Sequence, residues 1–162
     1  MPNWCTNHAT FSHDDPKTVT ALENVLREFK NSGDDGSKIG PFQFLCPMPE
    51  NPIVQKPDIV SVTDAGETIR TPSQMPDWWH WRVSNWGTKW EPACLEFERT
   101  GANTIDLSFD TAWNPPIQLF DAALKHGWEI TAYYFEPNMG FEGEYENGID
   151  KCRDIEAEEI EE

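Results

Sequence analysis

Three short stretches hold the polar and aromatic residues least suited to be filler. Asn3, Trp4, Cys5 and Asn7 open the chain; Trp86, Lys89 and Trp90 belong to Asn85-Trp86-Gly87-Thr88-Lys89-Trp90; Asp110 and Trp113 belong to Asp110-Thr111-Ala112-Trp113. Indole rings with one carboxylate and one ammonium can line an aromatic pocket, for a small ligand or a partner's side chain, with Asp110 and Lys89 at its wall. The same residues can instead serve packing and turns, with indole N–H groups bonded to backbone acceptors. Both readings stand at this level.

Other catalytic groupings are weak. Cys5 and His8 lie three apart on an expected strand, so they point to opposite faces and make a poor nucleophile–base pair. His8, His13 and Asp14 match no metal-ligand spacing and suit surface or capping roles. The sequence has no phosphate-binding glycine loop and no GxSxG. Glu142 and Glu144 share a face of a possible strand, where paired acids are ordinarily solvated. The expectation is no catalytic residue, no metal and no cofactor.

The net charge of −17 bears on partners. Nucleic-acid binding needs Lys/Arg to displace counterions from phosphates, and an anionic leaflet repels such a protein equally. The expected partner is therefore a basic protein. The acidic tail from Lys151 to Glu162 accounts for −4 of this charge and leaves −13 on the body. Cys5, Cys46, Cys94 and Cys152 form no CxxC. With no signal segment in the opening MPNWCTN, free thiols in a reducing host cytoplasm are expected.

The elements that must position these residues follow from periodicity. Residues 3–11 alternate Cys5, Ala9 and Phe11 against Thr6, His8 and Thr10, a strand pattern. Asp14-Asp15-Pro16 offers an N-cap and a first-turn proline to a helix striped by Val19, Leu22, Val25, Leu26 and Phe29. Residues 34–92 then hold eight of the 13 prolines. They read as a Trp- and Pro-rich insertion with a mobile centre around 51–76, in which Trp78, Trp79 and Trp81 form a helical turn or a knot.

Regular alternation returns in residues 93–99 and 105–110, separated by the hairpin signal Thr100-Gly101-Ala102-Asn103. A second helix carries Ile117, Phe120, Ala123 and Leu124 on one stripe and stops at His126-Gly127. A strand over 128–136 follows, with an extra strand over 141–145. The order is that of a ferredoxin-like α+β fold, a βαββαβ split motif whose antiparallel sheet carries two helices on one face. One domain spans 1–150, and 151–162 form the acidic tail, as a short helix or as disordered chain.

Alternation turns Ala93, Leu95 and Phe97 one way and places Leu95, Phe97, Ile105, Leu107 and Phe109 under the helices. It places Glu96, Glu98, Asp106 and Asp110 on the other face. An RNA-binding sheet would offer aromatics ringed by basic residues there, so these carboxylates disfavour RNA. Spaced at about 6.7 Å along each strand, they form either an ordinary solvated face or a phosphate-like array that attracts a basic protein. The insertion is positioned to cover that face or leave it open.

Taken together, Pro2-Asn3-Trp4-Cys5-Thr6-Asn7, Asn85 through Trp90, Phe109-Asp110-Thr111-Ala112-Trp113-Asn114-Pro115-Pro116 and Tyr134-Phe135-Glu136 resemble the YubB-type ferredoxin-like proteins of phages and conjugative plasmids. The resemblance implies the same spine and a home on a mobile genetic element, and it brings no established catalytic residue. The expected function is that of a non-enzymatic accessory protein that binds a host protein, for instance inhibiting a defence or DNA-processing factor. The alternative is a small-ligand binder or enzyme built on a Trp-rich pocket with Asp110.

Overall fold

A computed structural model of the protein describes residues 3–32, 39–52, 59–71 and 75–155. Twelve elements follow one another as β1 (Trp4–His13), α1 (Pro16–Ser32), α2 (Pro41–Leu45), β2 (Ile59–Val62), β3 (Thr68–Thr71), α3 (Asp77–Asn85), β4 (Ala93–Arg99), β5 (Thr104–Ala112), α4 (Ile117–Leu124), β6 (Trp128–Glu136), β7 (Phe141–Glu146) and β8 (Ile149–Asp154). Strands β4-β5-β1-β6-β7-β8 form one sheet in which every neighbouring pair is antiparallel. The molecule is thus a mixed α+β protein.

The alternation in β1 does what its side chains require. Cys5, Asn7, Ala9 and Phe11 are buried on one face, while His8 is exposed on the other. Asp15 caps α1 by accepting the Lys17 N–H at 3.0 Å, and Pro16 begins the helix, where a missing N–H costs nothing. Val19, Leu22 and Leu26 of α1, and Leu119, Phe120 and Ala123 of α4, share one core with Phe11, Ile105, Leu107, Phe109 and Ile130. Each large apolar side chain among them contributes about 1.5–3 kcal/mol on burial. This core lies on a single face of the sheet.

Part of the insertion joins that core. Phe42 and Leu45 of α2 and Trp86 are buried in it, with Phe42 edge-on to both Trp86 and Phe109. The insertion therefore packs beside the helices, and among the described residues the opposite sheet face is left uncovered. Within the expected mobile centre, Ile59–Val62 and Thr68–Thr71 pair as an antiparallel hairpin turning at Gly66, whose φ is +83°. Residues 53–58 and 72–74 lie outside the described residues.

Two further expectations are corrected. Register sets Ala93 opposite Asp110 and Glu96 opposite Ser108, so β4 carries one extra residue at a bulge where Cys94 has φ +52°. Ala93 is consequently out of phase with Leu95 and Phe97. The start of the expected tail is the edge strand β8, paired with β7 from Phe141↔Asp154 to Glu146↔Ile149. Residues 156–162, the rest of that tail, lie outside the described residues. Among the described residues no helix is long and apolar enough to cross a membrane.

Candidate functional site

The uncovered sheet face is organised in rows set by strand register. One row runs Glu98, Asp106, Thr10, Thr131, Glu146, and the next Glu96, Ser108, His8, Tyr133, Glu144, Lys151. A third runs Ala93, Asp110, Thr6, Phe135, Glu142, Arg153. Neighbours across a row stand about 4.8 Å apart and rows about 6.7 Å apart, so the carboxylates form a two-dimensional array. Glu96, Glu98, Asp106, Glu144 and Glu146 are exposed.

Some charges on this face are already engaged. Asp106 Oδ1 accepts the Thr10 hydroxyl at 2.8 Å, and Lys30 reaches from α1 to pair with Glu96 at the sheet edge. Glu142 accepts the Tyr133 hydroxyl at 2.7 Å and pairs with Arg153. Donation to Glu142 pushes the Tyr133 hydroxyl up to about 12, and the same hydrogen bond, aided by Arg153, lowers the Glu142 carboxyl. Glu98, Asp110, Glu144 and Glu146 have no hydrogen-bond or ion-pair partner among the described residues. Register sets Lys151 beside Glu144, so Glu98, Asp110 and Glu146 are the unneutralised part of the array.

The aromatic candidates separate into three environments. Trp86 is fully buried, donates its indole N–H to the Cys46 carbonyl at 2.9 Å, and meets Trp81 edge-on. The Arg82 guanidinium lies 4.6 Å from its ring centroid. Trp86 is therefore a core residue that ties the insertion down. Asn7 is equally buried, and its amide bridges β1 to β5 by donating to the Cys5 carbonyl at 3.1 Å and Thr111 Oγ1 at 3.0 Å.

Trp4 and Trp90 meet at 6.1 Å, and Lys89 Nζ stands 4.3 Å from the Trp90 ring centroid. Asn3 contributes its carbonyl to the Trp113 N–H at 2.8 Å. Trp113 is 41% exposed and held at φ +71°, a conformation that costs a non-glycine residue about 1–2 kcal/mol. Together with Trp79, Thr88 and Lys89 it lines a cavity of about 330 Å³. Neither Trp86 nor Asp110 belongs to that cavity, so one pocket lined by all of these residues, the first of the two readings above, is not assembled.

Cys5 is buried and its thiol is pushed up to about 12, chiefly by loss of solvent, so it is no nucleophile near neutrality. His8 Nδ1 is 2.8 Å from Ser108 Oγ, and His13 Nδ1 accepts the Asp15 N–H at 3.0 Å. One consequential carboxylate escaped sequence reasoning. Glu91 accepts the Phe42 and Gln43 N–H groups at 2.8 and 3.0 Å, clamping α2. Burial raises its carboxyl to about 6 despite these bonds and nearby Arg82. Gly40 makes room for it, because a Cβ there would collide with the Glu91 carboxyl group. The pairing spans about fifty residues of sequence, and no local pattern announces it.

No family model matches the chain. No curated protein matches it either. Among solved structures, the chain is similar to the crystal structure of api92, a DUF1281 protein from Yersinia pseudotuberculosis, with 12% identity over 97% of this chain and 99% of that one and a TM-score of 0.49.

Proposed function

We propose that this protein acts by binding a basic host protein through the open face of its sheet, and that it serves a phage or plasmid in the host cytoplasm as a non-enzymatic accessory factor. One observation carries the reading: Glu98, Asp110 and Glu146 stand on an uncovered face with no ion-pair partner among the described residues. In a protein of net charge −17 such a face attracts cations over several ångströms and repels phosphate backbones. A host factor whose normal ligand is polyanionic fits that field best. The ferredoxin-like reading belongs to the same proposal. It is supported by the central strand order β4-β5-β1-β6 and by the chain order β1-α1-β4-β5-α4-β6, with β7 and β8 as an extension.

The test is capture from host lysate with the wild type and with E98Q/D110N/E144Q/E146Q. A specific basic protein should be retained by the wild type at about 0.1 M salt, and released both by the variant and by about 0.5 M salt. Retention of the same protein by both forms would sink the reading. A second reading, a small-ligand site, is favoured by the cavity beside Trp79, Thr88 and Trp113. It predicts a change in Trp fluorescence on titration with a ligand panel, lost in Trp113→Ala.

A further inference from the structure

On the helix side, α4 meets β7 where Tyr145 donates its hydroxyl to Asp121 at 2.7 Å. Beyond that point the sheet continues into β8, whose residues are all exposed, and a cleft of about 510 Å³ opens between β6–β8 and the segment from α3 to α4. Its sheet wall is acidic. Asp150, Cys152 and Asp154 alternate along β8 on the cleft side, so the two carboxylates stand about 13 Å apart. Val83, Ile117 and Phe141 supply apolar wall, and among the described residues no Lys, Arg or His lines the cleft.

The wall is built from the strand beneath it. Tyr134, 1% exposed, donates its hydroxyl to Asp150 Oδ1 at 2.5 Å. It reaches across β7 because the residue between is Gly143, where a Cβ would collide with the Tyr134 hydroxyl oxygen. This orients one oxygen of Asp150, a residue that lines the cleft. Asp154 has no hydrogen-bond or ion-pair partner among the described residues. The N-terminus of α4 borders the cleft, but its partial positive charge of about one half offsets only part of two carboxylates. The cleft is also open-ended, since Val83, Gly87 and Asn114 line both it and the cavity beside Trp113.

We propose that this cleft is a binding site for a linear aliphatic polyamine. Ammonium groups sit against Asp150 and Asp154, and the methylene stem runs along Val83, Ile117 and Phe141. Two separated carboxylates with apolar wall between them match cations separated by CH₂ groups, and they match neither a compact metal ion nor an anion. The site is independent of the basic-partner surface, because the two lie on opposite sides of the sheet.

Calorimetric titration of the full chain with spermidine at about 0.15 M salt tests this, with Asp150→Asn and Asp154→Asn as variants. The amide oxygen in Asp150→Asn would keep an acceptor for Tyr134, and position 154 lies at the exposed end of an edge strand, so both variants should retain the wild-type melting temperature. Saturable binding to one site is expected, weakened about tenfold or more by either change. Outer-face substitution E98Q/E146Q should leave the affinity within about twofold. Absence of a saturable signal up to about 1 mM spermidine would overturn the proposal. So would equal weakening by the outer-face pair, which would reduce the effect to the general attraction of an acidic protein.

Discussion

The two faces of this sheet are made by the same strands and the same alternation, yet they respond to opposite demands. On the helix side, Phe11, Ile105, Leu107, Phe109 and Ile130 are sealed under α1, α2, α4 and Trp86, and buried polar side chains there serve the fold. Asn7 commits its amide to β1 and β5, and Trp86 commits its N–H to Cys46. On the other side, Glu98, Asp106, Glu144 and Glu146 meet solvent directly. Burial fixes what one face must be. The other is free to carry charge at little cost to the fold, and that is where a recognition surface can be written.

Breaking the covered face should have the largest effect. Trp86→Ala removes a buried indole and its hydrogen bond, and a loss of about 3–5 kcal/mol is expected in chemical denaturation. A loss below about 1 kcal/mol would mean that the insertion is not anchored there. Next comes the α2 clamp. Glu91→Ala leaves the Phe42 and Gln43 N–H groups without an acceptor and should cost about 2 kcal/mol.

The same carboxyl has a pH signature. Its folded value, about 6, lies above its ordinary 4.5, so the folded state favours the protonated form. Its stabilising contribution is therefore complete below about pH 4.5 and is lost as pH rises through about 6. The stability of the wild type relative to Glu91→Gln should shift by about 2 kcal/mol in favour of the wild type as pH falls from about 7 to about 4.5. A flat difference would show that the carboxyl is solvated.

The open face should yield the smallest changes in stability. E98Q/D110N/E144Q/E146Q is expected to move the unfolding free energy by no more than about 0.5 kcal/mol per site, because no fully buried group is touched. The thiols sharpen the contrast further. At about pH 8, Cys94 and Cys152 should react with an alkylating reagent in the native protein, while Cys5 reacts only on unfolding. Native-state labelling of Cys5 would show that the covered face opens.

How much of this could be read from residues depended on the range of the interaction. The strict period of two over 105–109 and the stripe Val19-Leu22-Leu26 are local, and they yield strand and helix positions close to those observed. The bulge at Cys94 was hidden because 93–99 alternate smoothly in sequence, and the extra residue shows only against β5. Strand β8 is illegible in the sequence because Ile149-Asp150-Lys151-Cys152-Arg153-Asp154 has no apolar face; it is held by backbone pairing to β7. The carboxylate rows were half legible: Glu96, Glu98 and Asp106 followed from alternation, whereas the contributions of Glu144 and Glu146 required the register of β6 with β7. The Trp residues looked alike in sequence, and only packing separates Trp86 in the core from Trp113 at the surface.

The central claim, that the open carboxylate face is the recognition surface, is tested most directly by the salt dependence of the captured partner's Kd. For the wild type, log Kd should rise steeply with log salt; for E98Q/D110N/E144Q/E146Q binding should be weaker at about 0.1 M salt and the dependence nearly flat. Equal slopes and equal affinities for the two proteins would contradict the claim and place the interaction elsewhere on the molecule.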